Sequence, residues 1–181
     1  MTGIQGTVVH DHWKSYFQLK NVQHALCNAH HLRELKALTE IEKEGWAHQM
    51  MRLLKTVVHL KDPQVDRICR LYHQIINRGL AYHHSLPQLG KTPRKKRIGH
   101  NLLLRLINYK DEVLRFLTNP AVPFTNNQAE RDLRMMKVKQ KISGGFRVIE
   151  GAQIFSAIRG FISSSNKQGL NILDSIKYQF A

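Results

Sequence analysis

The spacing of the hydrophobic residues changes once along the chain, and this change limits the possible folds more than any other feature. Thr7–His10 is a short run rich in β-branched residues, and His24–Cys27 is a weaker run of the same kind, so two strands are expected near the front. Between them, three aromatic residues recur at helical spacing and predict a short helix: Trp13, Tyr16 and Phe17. From Leu32 onward the apolar residues follow a helical period. The sequence therefore predicts a mostly α-helical protein with a small β-sheet remnant.

Several helix boundaries can be predicted from turn and cap residues. Asp62, followed by Pro63, predicts an N-cap with proline at the first helical position. Thr125 and Gln128 fit a capping box at the start of a later helix. Residues 86–97 form a basic break between helices. The last two long helices are expected to bury apolar faces, made of Ala129, Leu133 and Met136 in one and of Ile154, Ile158, Phe161 and Ile162 in the other.

The charge of the chain indicates the kind of partner. Lysine and arginine number 28 against 13 acidic residues, which gives a formal net charge of +15. Such an excess favours a polyanion, and nucleic acid is the commonest one. A membrane surface is the other candidate, but no apolar run approaches the roughly 18 residues of a spanning helix. The N-terminal residues do not resemble a signal peptide, and two cysteines cannot form a disulfide scaffold, so a reducing cytoplasm is the expected compartment.

Two acidic residues are candidates for catalysis and metal binding. Asp11 directly follows the first strand-like run, and carboxylates are good ligands for hard cations such as Mg²⁺. Position alone favours the plainer interpretation, in which Asp11 caps the following turn. Glu130 lies one turn into a predicted helix, with Arg134, Lys137 and Lys141 along the same stripe. Taken alone, this stripe favours an exposed ion-pair face. The functional alternative is a carboxylate metal ligand backed by cations that bind a phosphate backbone.

Cys27 and His30 have the spacing of half a zinc site. The other half would have to come from His10, His12 or His24, because no second C-x-x-C or H-x-x-x-H segment is present. The eleven histidines are scattered, and most are expected at the surface or at the edge of the core. The sequence contains no P-loop, no G-x-G-x-x-G and no G-x-S-x-G.

The order of these features is more specific than any one of them. A strand ending in Asp11 is followed by a second strand with Cys27-x-x-His30 and then by a long helical stretch. After it come Asn126-Asn127-Gln128-Ala129-Glu130-Arg131-Asp132-Leu133-Arg134, Ser143-Gly144-Gly145-Phe146-Arg147 and Glu150-Gly151-Ala152. Over nearly its whole length the chain resembles the catalytic domain of a bacterial DDE transposase of the insertion-sequence sixty-six family. The N-N-x-A-E-R-x-L-R segment and the following G-G-F-R are the most specific part of the resemblance.

The resemblance implies a partial ribonuclease-H-like α/β fold that carries a large helical insertion. Residues 1–30 would be the strand–helix–strand remnant, 31–122 the insertion and 123–181 the C-terminal helices of the catalytic core. Asp11 matches the second of three catalytic acids and Glu130 the third, with Mg²⁺ or Mn²⁺ as the expected cofactor. Arg134, Lys137 and Lys141 would lie along the DNA backbone, the DNA being transposon ends and target DNA. Cys27 and His30 match a family motif that supports the core.

The first acid of the triad has no counterpart, because no acidic residue precedes Asp11. The chain is therefore expected to be a truncated transposase, inactive alone, with the missing N-terminal half or a transposase oligomer as partner. The complete protein would cleave DNA and transfer strands in transposition. Two alternatives remain: a non-catalytic basic helical module that binds nucleic acid, and a His/Cys metal-binding protein. Bringing Asp11 and Glu130 together distinguishes the transposase from the first, and a preference for Mg²⁺ over Zn²⁺ distinguishes it from the second.

Overall fold

A computed structural model describes residues 5–87 and 96–180, without the side chains of Gln128, Ala129, Asp132, Gln179 and Phe180. The elements are β1 (Gly6–His10), a 3₁₀ turn (Tyr16–Gln18), β2 (Val22–Leu26), α1 (Asn28–Glu40), α2 (Gly45–Val57), α3 (Val65–Ser85), α4 (Ile98–Asn108), α5 (Lys110–Thr118), α6 (Asn127–Ser143), α7 (Ile149–Lys167) and α8 (Ile172–Phe180). Most described residues are helical, so the prediction of a mostly α-helical protein with a small β remnant is confirmed. No helix among these residues is both long and apolar enough to cross a membrane. The chain forms two compact units, which meet in sequence between Asn126 and Asn127.

The sheet of the first unit has two described strands, β1 and β2, which run parallel. Gly6 lies opposite Val22 and His10 opposite Leu26. The α5 helix packs along β2, and Arg115 Nε donates a hydrogen bond to the backbone oxygen of His24 at 2.7 Å. This contact satisfies a polar group that an edge strand would leave unpaired. The second edge of β1 pairs with no strand in the described part of the chain.

Helices α1–α5 and β2 share one apolar core. Its fully buried residues include one or more from each helix: Leu35, Met50, Leu54, Tyr72, Leu102, Leu103, Leu106 and Val113. Burying each large side chain stabilises the unit by about 1.5–3 kcal/mol. The Tyr72 hydroxyl donates to the backbone oxygen of Leu106 at 2.8 Å, so its one polar group is satisfied inside the core. The core therefore fixes the helices against the strand that leads to the junction described below.

The buried carboxylate of Glu44 lies at the edge of the core, next to the start of α4. Glu44 Oε2 accepts a hydrogen bond from Trp46 Nε1 at 2.6 Å and lies 3.3 Å from His83 Nε2 at the end of α3. A Cβ atom at Gly99 would lie 2.6 Å from Glu44 Oε1, so only glycine permits this approach. Burial raises the pKa of Glu44. Glu44 thus connects the C-terminal end of α3 with the start of α4. These two helix ends flank the predicted basic break, of which residues 88–95 lie outside the described part.

The start of the chain differs from the prediction in two details. The second strand runs from Val22 to Leu26 rather than from His24 to Cys27, because Asn21 turns the chain with φ 62° and lets the β-branched Val22 open the strand. Cys27 instead caps α1. The predicted helix around Tyr16 is only a 3₁₀ turn. Short 3₁₀ turns of this kind are common in connections between elements.

The predicted start of α3 is wrong. The α3 helix begins at Val65, and its cap residue is Gln64, so Asp62 is not the N-cap. Asp66 supplies the favourable negative charge in the first turn instead. A break at Tyr109, whose φ and ψ are −120° and 32°, separates α4 from α5. The predicted capping box at Thr125 involves the side chain of Gln128, which lies outside the described residues.

The second unit, α6–α8, exposes much of the apolar surface that was expected to be buried. Leu133 is 63% exposed, Ile154 60% and Ile158 54%, so the predicted buried faces of α6 and α7 are wrong at these positions. Ser165 is the one buried residue among the described side chains of this unit. A helical period identifies the apolar face of a helix, but burial requires a second surface that covers it.

Candidate functional site

Asp11 lies immediately after β1, at the carboxyl end of a parallel strand. Its Oδ1 accepts a hydrogen bond from the backbone N–H of Trp13 at 3.0 Å. The turn-capping role that position alone favoured is therefore present. The other carboxylate oxygen accepts no hydrogen bond and forms no ion pair with the described residues, and the side chain is half-buried. One oxygen thus fixes the side chain, and the second remains available to a cation.

Four histidines surround this strand end in two contacting pairs. His10 Nε2 lies 3.0 Å from His24 Nδ1, and His12 Nε2 lies 3.1 Å from His31 Nε2. His10 and His31 are buried, and His10 stacks on Tyr16 with a ring-centroid distance of 4.9 Å. Most histidines lie at the surface or at the edge of the core, as expected, and His10 and His31 are exceptions. The parallel register explains the first pair, because it places His24 opposite Val8 and so on the same face as His10.

Three of these histidines, His10, His12 and His31, have lowered pKa values and are therefore neutral at physiological pH. Burial lowers the pKa of His12 to about 4, with Arg105 as the next contribution. Burial, and then the neighbouring His12, lowers the pKa of His31 to about 3. The pKa of His10 is also lowered, mainly by burial. Neutral imidazoles beside Asp11 add no positive charge that would repel a metal ion.

Cys27 and Asn28 form a junction between the strands, α5 and the segment that leads into α6. Cys27 N–H donates to His10 O at 2.8 Å, and Asn28 N–H donates to Phe124 O at 3.1 Å. The Asn28 side chain donates to Val113 O at 2.9 Å. Cys27 Sγ accepts the backbone N–H of Asn126 at 3.1 Å. We call these contacts the Cys27–Asn28 junction.

His30 occupies the first turn of α1, next to this junction, and is half-buried. Cys27 itself is 1% exposed. The hydrogen bond to Asn126 gives the Cys27 sulfur a structural partner, which is consistent with the core-supporting role that the resemblance implied. Sequence reasoning missed Asn28, although asparagine at a strand-to-helix turn often bonds to nearby backbone groups.

Glu130 lies in the first turn of α6 and is half-buried. The partial positive charge of a helix N-terminus favours a carboxylate there. Arg134, Lys137 and Lys141 are exposed on the same helix, and we call these three residues the α6 basic stripe. Their spacing places them on neighbouring turns, so they offer a row of cations to a phosphate backbone. Glu130 and the stripe belong to the second unit, whereas Asp11 and the junction belong to the first.

Comparison with known proteins assigns a family to this arrangement. The family model described as Transposase IS66 family matches residues 1–154. The chain belongs to the IS66 transposase family. The match contains Asp11, the junction and the whole of α6, so the predicted resemblance is confirmed.

A curated relative matches a shorter part of this transposase-family chain. It is the uncharacterized protein y4jO of Sinorhizobium fredii, which is 39% identical over 70 residues. These residues are 39% of the present chain and 22% of the relative, so the match spans about a fifth of the relative's length. No solved structure matches the chain significantly.

The junction generates a prediction about Cys27. Replacing Cys27 by Ala leaves the partly buried N–H of Asn126 without its acceptor, and losing such a hydrogen bond costs about 0.5–1.5 kcal/mol. We expect Cys27→Ala to lower the free energy of unfolding by that amount, measured by urea denaturation. Cys69→Ala is the matched control, because Cys69 is only half-buried at the edge of the core. An equal loss in both variants would show that the thiol contributes packing alone.

Proposed function

We propose that the chain contributes two carboxylates, Asp11 and Glu130, to the metal-dependent DNA-cleavage site of an IS66-family transposase. The observation that carries the proposal is the position of Asp11 at the end of a parallel strand, with one oxygen fixed by the Trp13 N–H and the other available. We include Glu130 because it lies in the family motif, within residues 1–154 that the family model matches. The complete protein would cleave DNA and transfer strands between transposon ends and target DNA.

The donor chemistry fits Mg²⁺ or Mn²⁺. Both ions take carboxylate oxygens, and the neutral histidines next to Asp11 leave its negative charge uncompensated by a neighbouring imidazolium. When bound, such ions activate the attacking oxygen and stabilise the leaving oxygen of a phosphodiester. Because the family triad has three acids and none precedes Asp11, this chain would supply two of them.

The α6 basic stripe is proposed to hold the DNA backbone. Arg134, Lys137 and Lys141 are exposed, and a guanidinium or ammonium group binds phosphate without reading sequence. The net charge of +15 adds a long-range attraction to any polyanion. These residues position DNA, while Asp11 and Glu130 hold the ions that act on it.

The unpaired edge of β1 is a site at which a further strand can join the sheet. The β2 strand is bordered by α5 and its Arg115 hydrogen bond, but β1 pairs with no second strand among the described residues. We propose that β1 pairs with a further strand of a ribonuclease-H-like sheet, which carries the first acid. This strand would come from the remaining part of the transposase or from another copy. Main-chain hydrogen bonds along a strand edge provide the affinity for such an addition.

Nicking of supercoiled plasmid tests the catalytic part of the proposal. The 181-residue chain alone is expected to cut no DNA with Mg²⁺ or Mn²⁺, because a site with two of its three acids cannot hold both ions. A longer family transposase that contains this chain and an acidic strand paired with β1 should nick. Asp11→Asn and Glu130→Gln should each reduce nicking by at least about 100-fold.

The matched controls for nicking are Asp111→Asn, at an exposed acid of α5, and Glu150→Gln, at an exposed acid in the first turn of α7. Both controls should retain full activity. Metal-dependent nicking by the isolated chain, lost in Asp11→Asn and Glu130→Gln, would contradict the assignment of only two acids to it.

The salt dependence of DNA binding tests the α6 basic stripe. Each lost phosphate contact lowers the slope of log K against log salt by about 0.9, so replacing Arg134, Lys137 and Lys141 by Ala should lower it by about 2.7. Fluorescence anisotropy on a labelled duplex measures the slope. The control replaces three exposed cations of the first unit, Arg33, Lys36 and Lys61, by Ala. Equal slopes for the two triple variants would place the DNA-binding surface elsewhere.

A further inference from the structure

A basic groove between α2 and α3 lies outside the site described above. Its volume is about 330 Å³, and it belongs to the first unit. Its floor contains apolar side chains and its walls contain arginine and glutamine: Gln49, Arg52, Leu53, Gln74, Ile75 and Arg78. We call it the α2–α3 groove. We propose that it is a second DNA-contact surface, which binds the phosphodiester backbone through Arg52 and Arg78.

The two arginines are placed on opposite walls. Arg52 comes from α2 and Arg78 from α3. Arg78 Nη1 donates to Gln49 Oε1 at 2.8 Å, which fixes the guanidinium against the neighbouring helix. Neither arginine forms an ion pair with a residue in the described part of the chain. Both guanidinium groups therefore keep N–H donors for an anion. Arginine binds phosphate oxygens in a bidentate manner.

The charge of the groove favours a polyanion over other occupants. No acidic residue lines it among those that the structure describes. The larger hollow at the α7–α8 corner, of about 570 Å³, has the opposite character: it is lined by serine, asparagine and the carboxylate of Asp174, without a cation. Only the α2–α3 groove of these two complements a phosphate backbone.

The length of the groove also fits a nucleic-acid strand. The lining residues of α2 extend from Gln49 to Thr56, which is about 10 Å along the helix axis. A DNA strand advances about 3.4 Å along the duplex axis per phosphate, and because the backbone winds around this axis, neighbouring phosphates of one strand are farther apart than this rise. The groove therefore faces about two phosphates, one for each arginine. The half-buried Leu53 and the exposed Leu71 offer apolar contacts to the sugars. The inference rests on the proposed DNA-handling function and extends it to the helical insertion.

Anisotropy titrations of the full chain on a labelled duplex test the groove. Arg52→Ala/Arg78→Ala should lower the slope of log K against log salt by about 1.8, as expected for two phosphate contacts. The control Arg33→Ala/Arg70→Ala removes the same charge from exposed positions outside the groove and should keep the slope. Circular dichroism verifies that both variants fold, since all four side chains are exposed. Equal slopes in the two double variants would overturn the proposal.

A variant that keeps the net charge of the chain distinguishes a specific phosphate-binding site from general electrostatic attraction. Gln49→Ala releases Arg78 without changing the net charge, and it should weaken binding roughly 3-fold at fixed salt, about the effect of one exposed hydrogen bond. Affinity unchanged by Gln49→Ala would contradict the fixed placement of Arg78 on which the groove depends.

The α6 variant distinguishes failure of the groove from failure of the proposed function. If the α6 variant lowers the salt slope and the groove variant does not, the groove is wrong and the proposed function stands. If only the groove variant lowers the slope, the groove stands and the α6 assignment is wrong. If neither does, both are contradicted.

Discussion

The first unit depends on the Cys27–Asn28 junction, where two consecutive residues join four parts of the chain. Cys27 extends the hydrogen bonding of the strands by one step and accepts the N–H of Asn126, while Asn28 binds the backbone of α5 and of Phe124. The described residues between Cys27 and Phe124 form helices α1–α5 and their connections. The junction therefore brings the chain back, after these helices, to the strand end that carries Asp11. The two ends of this helical stretch are held together by the hydrogen bonds of Cys27 and Asn28.

The proposed function requires a chain of net charge +15 to attract DNA without repelling the divalent cations of the proposed site. The distribution of charge reconciles the two demands. The cations proposed to bind DNA are exposed on α6 and in the α2–α3 groove, whereas His10, His12 and His31 near Asp11 have lowered pKa values and are neutral. Burial lowers these pKa values because a charged ring would lose its hydration. A positive surface for the backbone and neutral imidazoles next to Asp11 can therefore coexist in one small protein.

Local patterns predicted the elements well and their burial less well. The change of hydrophobic spacing predicted two strands followed by helices, and the family motif pointed to Asp11 and Glu130. The pairing of His10 with His24 needs the strand register, which no local pattern gives. Leu133 lies on a helical stripe but is exposed, because periodicity does not show whether another surface covers the stripe. The α2–α3 groove carries no motif, since it arises only when two helices pack against each other.

The most direct test of the account is a double-mutant cycle on Mn²⁺ affinity, measured by electron paramagnetic resonance. If Asp11 and Glu130 bind one ion, Asp11→Asn and Glu130→Gln should each weaken binding about 10-fold or more, and the double variant should be no weaker than the poorer single variant. Free-energy losses that simply add in the double variant would show that the two carboxylates act independently of each other. That result would contradict a site shared by the strand and the glutamate helix.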